Sequence, residues 1–284
     1  MNIVFHGNTL EVLSKLENSI VDVGITSPPY NKMEKQKGWL VKNVVYDNYK
    51  DVKSEEQYQL EQIEVLNQIF RITKAGGSFF YNHKTRWDKG RMYHPMEWLL
   101  KTKWCIKQEI IWDRMIAANI RGWRFWQIDE RIYWLYKPIN NNKIGEELQS
   151  KDAQLSSIWR FPPERDNPHP APFPITLPSR IIISILNEKP GTVLDPYCGS
   201  GTSLVAAKLL NKNYIGIDIS EDYIAFAENR LINFETERPK INEECAKHKI
   251  EKTFKERKEN GEFTGRHKTI QVPVVESNNL FVVS

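Results

Sequence analysis

Cysteine is scarce in this chain of 284 residues: only Cys105, Cys198 and Cys245, scattered and far apart. That spacing makes neither a disulfide framework nor a metal-ligand pair, so no bound metal is expected and a reducing, cytoplasmic setting is. Long apolar runs are missing as well. None approaches the ~20 residues that a membrane-spanning helix needs. The opening MNIVFHGNTLEVL has neither the charged head nor the apolar core of a signal peptide. A large charge excess is also lacking: 40 Lys and Arg stand against 36 Asp and Glu, a net charge of +4. This balance is compatible with a nucleic-acid partner but does not establish one, because clustering matters more than the total. There is no internal repeat and no convincing nuclease signature. The length suits one large domain, or one domain with a small appendage, with ample core.

What is present is organised around TSPPY, Thr26 to Tyr30. Before it, Val21, Val23 and Ile25 alternate with Asp22 and Gly24, which is strand periodicity. Pro28 and Pro29 cannot donate to a ladder, so the strand must stop there. A rigid loop follows, with the ring of Tyr30 fixed just beyond it. By itself this reads equally as a stiff turn or as a ligand loop.

A second stretch, LDPYCGSGTS from Leu194 to Ser203, changes that balance. It leaves an apolar run at Thr192–Leu194 and opens a helical run at Leu204–Leu210. Strand, Gly-Ser-Gly turn and helix make a nucleotide-type cradle, in which small residues let a ligand approach the backbone and helix amides point at it. The next strand ends at Asp218, about 20 residues past the glycines, where nucleotide folds keep a ribose-binding carboxylate. A simple helix-capping role is the alternative for Asp218.

Taken together, TSPPY and LDPYCGSGTS resemble the amino-methylating DNA methyltransferases, which use S-adenosylmethionine to methylate exocyclic nitrogens. The order, target-amine loop first and cofactor loop later, resembles the beta arrangement of that family. The resemblance implies an α/β, Rossmann-like fold with a mixed, mostly parallel sheet and a circularly permuted motif order. It implies S-adenosylmethionine as cofactor, double-stranded DNA as substrate and a restriction–modification setting, in which a cognate endonuclease acts separately. Ser27, Pro28, Pro29 and Tyr30 are the implied catalytic loop: Ser27 Oγ and the Pro28 carbonyl accept from the amine, and Tyr30 stacks on an extruded base. Asp195, Pro196, Cys198, Gly199, Ser200, Gly201 and Thr202 are implied to wrap the amino-acid end of the cofactor, with Asp195 accepting from its ammonium. Asp218 and Ile219 hold the ribose side. Phe173, in HPAPFPITLPSRII, packs against the cofactor. Asn8 is carried to the adenosine, with capping of the helix near Thr9 as the equal alternative. None of the cysteines follows a proline, which disfavours the methyltransferases that attack a cytosine ring carbon. Ser27 favours cytosine N4 as target, with adenine N6 as the alternative.

Basic residues cluster in three places. Lys32 opens a long lysine-rich loop after Tyr30, expected as a lid over the base. Lys84 and Arg86 lie in the segment His83–Arg91. Arg121 and Arg124 interleave with Trp123 and Trp126, a pattern suited to phosphates and bases. The expected organisation is a catalytic half over 1–136, a short target-recognition segment over 137–167, a cofactor half over 168–234 and a charged arm over 235–284. Apolar pieces of that arm could dock on the body or on a second subunit of a homodimer. Three rivals remain: the same fold acting on RNA or a protein glutamine, a dinucleotide oxidoreductase, and a non-catalytic nucleic-acid-binding module.

Overall fold

The computed structural model describes residues 1–31, 53–117, 122–140, 156–164, 167, 172–247 and 254–262. The expected lid with Lys32, the position Arg121 and most of the 137–167 segment lie outside them. By its contacts the chain divides into two units, Met1–Lys249 and Ile250–Ser284. In the second, helix α8 (Phe254–Glu259) is the described element.

The first unit is a three-layer α/β sandwich. Its strands are β1 (Asn2–His6), β2 (Val21–Thr26), β3 (Thr73–His83), β6 (Cys105–Asp113), β7 (Asp129–Tyr136), β8 (Ile158–Arg160), β9 (Thr192–Asp195) and β10 (Asn213–Asp218). They order as β1-β10-β9-β2-β3-β7-β6-β8. The run from β1 to β3 is parallel throughout, and β7 pairs antiparallel with both β3 and β6. A separate hairpin joins β4 (Arg86–Asp88) to β5 (Arg91–Tyr93), in the basic segment that begins at His83.

Helices cover both faces. On one lie α1 (Thr9–Lys15), α2 (Glu55–Ile72) and α3 (Met96–Leu99); on the other α4 (Thr176–Leu186), α5 (Thr202–Leu209), α6 (Glu221–Ile232) and α7 (Arg238–Lys247). The sheet alternates between them: Phe79 and Tyr81 of β3 face α2, while Phe80 faces the opposite core. Strand β7 is buried on both faces, as its unbroken apolar run implied, with Ile132 and Trp134 on one side and Tyr133 and Leu135 on the other. In β2, Val21 and Val23 join opposite cores even though they are two residues apart. The pairing register with β3 shifts between them, and that irregularity turns the pleat.

Three expectations need correction. In the sequence, Ser54–Arg71 reads as an amphipathic helix whose buried stripe is Leu60, Ile63, Leu66 and Phe70. Its buried face instead runs through Tyr58, Gln62, Val65, Leu66, Ile69 and Ile72, and Leu60 is exposed. Two polar residues sit on that face because each has a partner; Gln62 Oε1 accepts from the Tyr81 hydroxyl at 2.9 Å. Ala75-Gly76-Gly77 reads in the sequence as the end of that helix, whereas β3 already begins at Thr73. The charged arm beginning at residue 235 reads in the sequence as helical with solvated faces. Helix α7 packs on α4 instead, with Ile241 buried and Glu244 accepting from Arg180 Nε at 2.6 Å.

Candidate active site

Strands β9 and β2 are neighbours, yet the chain leaves them in opposite directions, β9 toward β10 and β2 toward β3. Ligands of open α/β sheets bind beyond the carboxyl ends of the strands at such a switch point. Both loops singled out in the sequence start there. The Thr26 hydroxyl at the end of β2 donates to Asp195 Oδ1 at the end of β9, at 2.8 Å.

Asp195 is 1% exposed, and burial pushes its carboxyl up to about 6. Its Oδ1 also accepts from the Tyr197 amide, and its Oδ2 from the Ser203 hydroxyl. The carboxylate therefore clamps β2, β9 and the start of α5 together. Its Oδ1 holds two bonds and its Oδ2 one, which leaves a lone pair on Oδ2. Pro196 points its carbonyl at the Thr9 hydroxyl, 2.9 Å away. The Cys198 thiol is buried and burial raises it well above its ordinary range, so it stays protonated and inert.

Asp218 is placed differently. It is half-buried at the end of β10. Its Oδ2 accepts from the Gly199 amide at 2.8 Å and its Oδ1 from the Ser220 amide at 2.9 Å. Burial raises its carboxyl, and the amides oppose that rise. Two oxygens holding one bond each keep lone pairs for further donors. Gly199 and Gly201 both adopt left-handed backbone, φ 46° and 77°. A Cβ on Gly201 would come within 2.8 Å of Ala227 Cβ, so this glycine is needed for the closeness of α6. Ser200 and Thr202 turn their hydroxyls to Arg230 Nη1, and Arg230 makes a two-point ion pair with Glu237. Both hydroxyls of the 199–202 turn accept from Arg230 and keep their own protons. Arg230 braces it from behind, a role that no local motif announces.

The other predicted cofactor residues divide. Ile219 is partly exposed beside Asp218, and its carbonyl lies 3.1 Å from His6 Nε2. Phe173 is buried in the core before α4. Asn8 Oδ1 accepts from the Leu10 and Glu11 amides and caps α1, which is the alternative its sequence left open.

On the amine-loop side, Ser27 is half-buried and Pro28 is buried. Among the described residues the Pro28 carbonyl accepts no hydrogen bond, whereas the Pro29 carbonyl accepts from Tyr58 at 2.9 Å. Tyr30 is 4% exposed, its ring tilted against His83 at 4.6 Å. Burial and the neighbouring Arg86 hold His83 neutral. The Tyr30 hydroxyl lies 2.5 Å from Ser27 Oγ and donates to Glu130 Oε2 at 3.0 Å. Asn82 Nδ2 donates to that same carboxylate oxygen at 2.8 Å and lies within 3.3 Å of Ser27 Oγ. Asn82 and Glu130 lie far from TSPPY in sequence. The parallel pairing of β2 with β3 brings Asn82 to it, and the antiparallel pairing of β3 with β7 adds Glu130.

Two of the residues expected at phosphates have neighbours within the protein. Arg86 makes a two-point ion pair with Glu55 and lies over the rings of Tyr58 and Trp98, so its charge is already matched. Lys84 holds its ammonium 5.3 Å from the centre of the Tyr30 ring, beside the loop rather than out on the surface. Arg124 packs over Trp87 at 4.1 Å, next to exposed Trp123 and Trp126 and to Phe125, which is 98% exposed. These residues lie in the connection between β6 and β7, at the same end of the sheet as Ser27. No group of His, Cys, Asp and Glu among the described residues is arranged to hold a metal ion. No helix among them is long and apolar enough to cross a membrane.

The fold is that of a methyltransferase-type α/β protein, with the two loops side by side at the switch point. Residues 21–229 match the family model described as DNA methylase, N6_N4_Mtase, and the chain belongs to that family of amino-directed DNA methylases. It is 27% identical over 261 residues to the Type II methyltransferase M.ScaI of Streptomyces caespitosus, covering 81% of each chain. It is 28% identical over 250 residues to the Type II methyltransferase M.HpaI of Haemophilus parainfluenzae, covering 79% of this chain and 72% of that one. Among solved structures it superposes on the PvuII DNA methyltransferase, which is cytosine-N4-specific, with a TM-score of 0.63 at 15% identity, over 85% of this chain and 93% of the other. The complex of M1.HpyAVI with S-adenosylmethionine gives a TM-score of 0.57 at 23% identity, over 81% and 100%. The methyl donor of the family is S-adenosylmethionine.

Proposed function

We propose that this enzyme methylates the N4 amino group of cytosine within a specific sequence of double-stranded DNA. The observation that carries the reading is the pairing at the switch point. Ser27 and the Pro28 carbonyl stand at the end of β2, one strand from the Gly199–Thr202 turn and two from Asp218.

An exocyclic amine is a poor nucleophile because its lone pair is delocalised into the ring. Two acceptors aimed at its hydrogens draw the nitrogen toward tetrahedral geometry and free that lone pair. Ser27 Oγ and the Pro28 carbonyl are those acceptors. The cofactor supplies an electrophilic methyl group on its sulfonium. The backbone of Gly199–Thr202 cradles its amino-acid end and Asp218 takes the ribose hydroxyls. Holding nitrogen and methyl in line supplies much of the rate, and no covalent enzyme intermediate is needed. The base must leave the duplex to reach this depth. Arg124, with Trp123, Phe125 and Trp126, offers charge for phosphates and rings for bases on the same side. Tyr30 stacks on the base only after its surroundings open, because the ring is buried against His83 with Lys84 Nζ 5.3 Å from its centre.

Cytosine is favoured over adenine by Ser27. A serine before the proline pair is a neutral acceptor, whereas aspartate there is a charged one. A separately encoded endonuclease would cut the same sequence when it is unmethylated. Long-read modification sequencing of DNA from a host expressing the chain tests the reading. One modified motif carrying N4-methylcytosine supports it. Modified adenine moves the target base, and unmodified DNA removes the proposal.

A further inference from the structure

The buried polar cluster behind Ser27 has only one consistent arrangement of its protons. Glu130 is the end of the chain. Its Oε1 is ion-paired with Arg114 Nη1 at 3.1 Å, so the group is a carboxylate and can only accept. Its Oε2 accepts from Asn82 Nδ2 at 2.8 Å, which fixes the Asn82 amide with nitrogen toward Glu130. The same oxygen takes the single proton of the Tyr30 hydroxyl. Ser27 Oγ lies 2.5 Å from the Tyr30 oxygen, and one of the two must donate. Tyr30 has no second proton, so Ser27 donates. The Asn82 amide lies against Ser27 Oγ from the other side, 3.3 Å away. The Ser27 hydroxyl therefore faces the loop opening with a lone pair and no proton.

We infer that Glu130 is a positioning residue that, through Tyr30, makes Ser27 an obligate acceptor, so that the loop takes a base edge bearing an amino group and refuses one bearing a carbonyl. The inference rests on the reading above, in which Ser27 meets the target amine. A free serine hydroxyl turns to suit either partner. A serine whose proton is committed does not, and a carbonyl facing it leaves two acceptors opposed. Sites that hydrogen-bond a substrate group reject analogues that cannot answer it far more strongly than apolar pockets do. Asn82 contributes as well. Among the described residues its Oδ1 is buried without a hydrogen-bond partner.

The test uses the full chain, the recognition duplex found by sequencing, and S-adenosylhomocysteine as the unreactive cofactor form. Binding is measured to duplexes carrying cytosine or uracil at the target position opposite the same guanine; hypoxanthine replaces adenine if adenine is the target. Turnover and melting temperature are measured alongside. Glu130→Gln allows the amide to donate to Tyr30, and Tyr30→Phe removes the link while leaving the Glu130–Arg114 pair. Each variant should shift the amino-to-carbonyl binding ratio at least fivefold toward the carbonyl base. Each should lower kcat about 100-fold with KM for DNA nearly unchanged, and the double variant should fall no further, because the residues act as one chain. Tyr30→Phe keeps the test open if Glu130→Gln does not fold. A wild-type protein that methylates DNA while both variants keep its ratio and its kcat overturns the inference alone. A wild-type protein that methylates nothing removes the underlying reading and the inference with it.

Discussion

Asp218 accepts the amide of Gly199 at 2.8 Å, so the acidic end of one strand grips the glycine turn that leaves its neighbour. This single bond ties the cofactor's two expected contacts together. Replacing Asp218 with Ala should therefore do two things: remove the ribose acceptor and loosen the turn. A hydrogen bond to a charged group contributes about 1.5–3 kcal/mol, so cofactor affinity should fall by about 10- to 100-fold. Asp218→Asn, which keeps an acceptor, should fall in between. Calorimetric titration with S-adenosylmethionine measures this, and an unchanged affinity in the Ala variant would take Asp218 out of the site.

Gly201 should tolerate no side chain. Its φ of 77° is strained for any other residue, and an added Cβ meets Ala227 on α6 at 2.8 Å. Gly201→Ala should cost about 1–3 kcal/mol of stability and weaken cofactor binding together with it. Urea unfolding and the same titration report both. A variant as stable as the wild type would show that α6 yields freely here.

Asp195 gives a prediction with a sign. Burial raises its carboxyl from 3.8 to about 6, so the folded protein binds more protons than the unfolded chain between those values. Stability from this group is then fully present below about pH 4 and is lost as pH rises through about 6. Asp195→Asn removes that dependence. The stability of wild type relative to the variant should decline between pH 4 and pH 7, as measured by urea unfolding at each pH. A constant difference would contradict the shift.

The connection between β6 and β7 should contribute to DNA binding in two separable ways. Arg124→Ala should flatten the dependence of log affinity on log salt by about 0.9, the value for one lost phosphate contact. Phe125→Ala should leave the slope intact and cost about 1–3 kcal/mol of affinity, because stacking on a base is insensitive to salt. Fluorescence anisotropy across a salt series separates them. If neither variant changes either quantity, the exposed rings belong to an idle surface.

The strands and both ligand loops were legible because each leaves a local mark: alternation in β2, an unbroken apolar run in β7, proline pairs and glycine turns at the ends. What was not legible depends on pairing across the sheet. Glu130 reads as an ordinary start to a strand, and only the register of β7 on β3 sets it against Tyr30. Arg86 reads as a phosphate contact until Glu55 is found opposite it. Helix α2 was rotated in the reading because Tyr58 and Gln62 count as polar by residue type, while their partners across the layer make them buried. Arg230 looks like any basic residue in the last turn of a helix, and it holds the cofactor turn in shape.

The most direct measurement of the central claim is chemical. The purified enzyme is incubated with double-stranded DNA and S-adenosylmethionine carrying an isotopically labelled methyl group. The DNA is then digested to nucleosides and analysed by mass spectrometry. The account predicts label in N4-methylcytosine, absent when Ser27 is replaced by Ala. Label on no exocyclic amine of any base would contradict it.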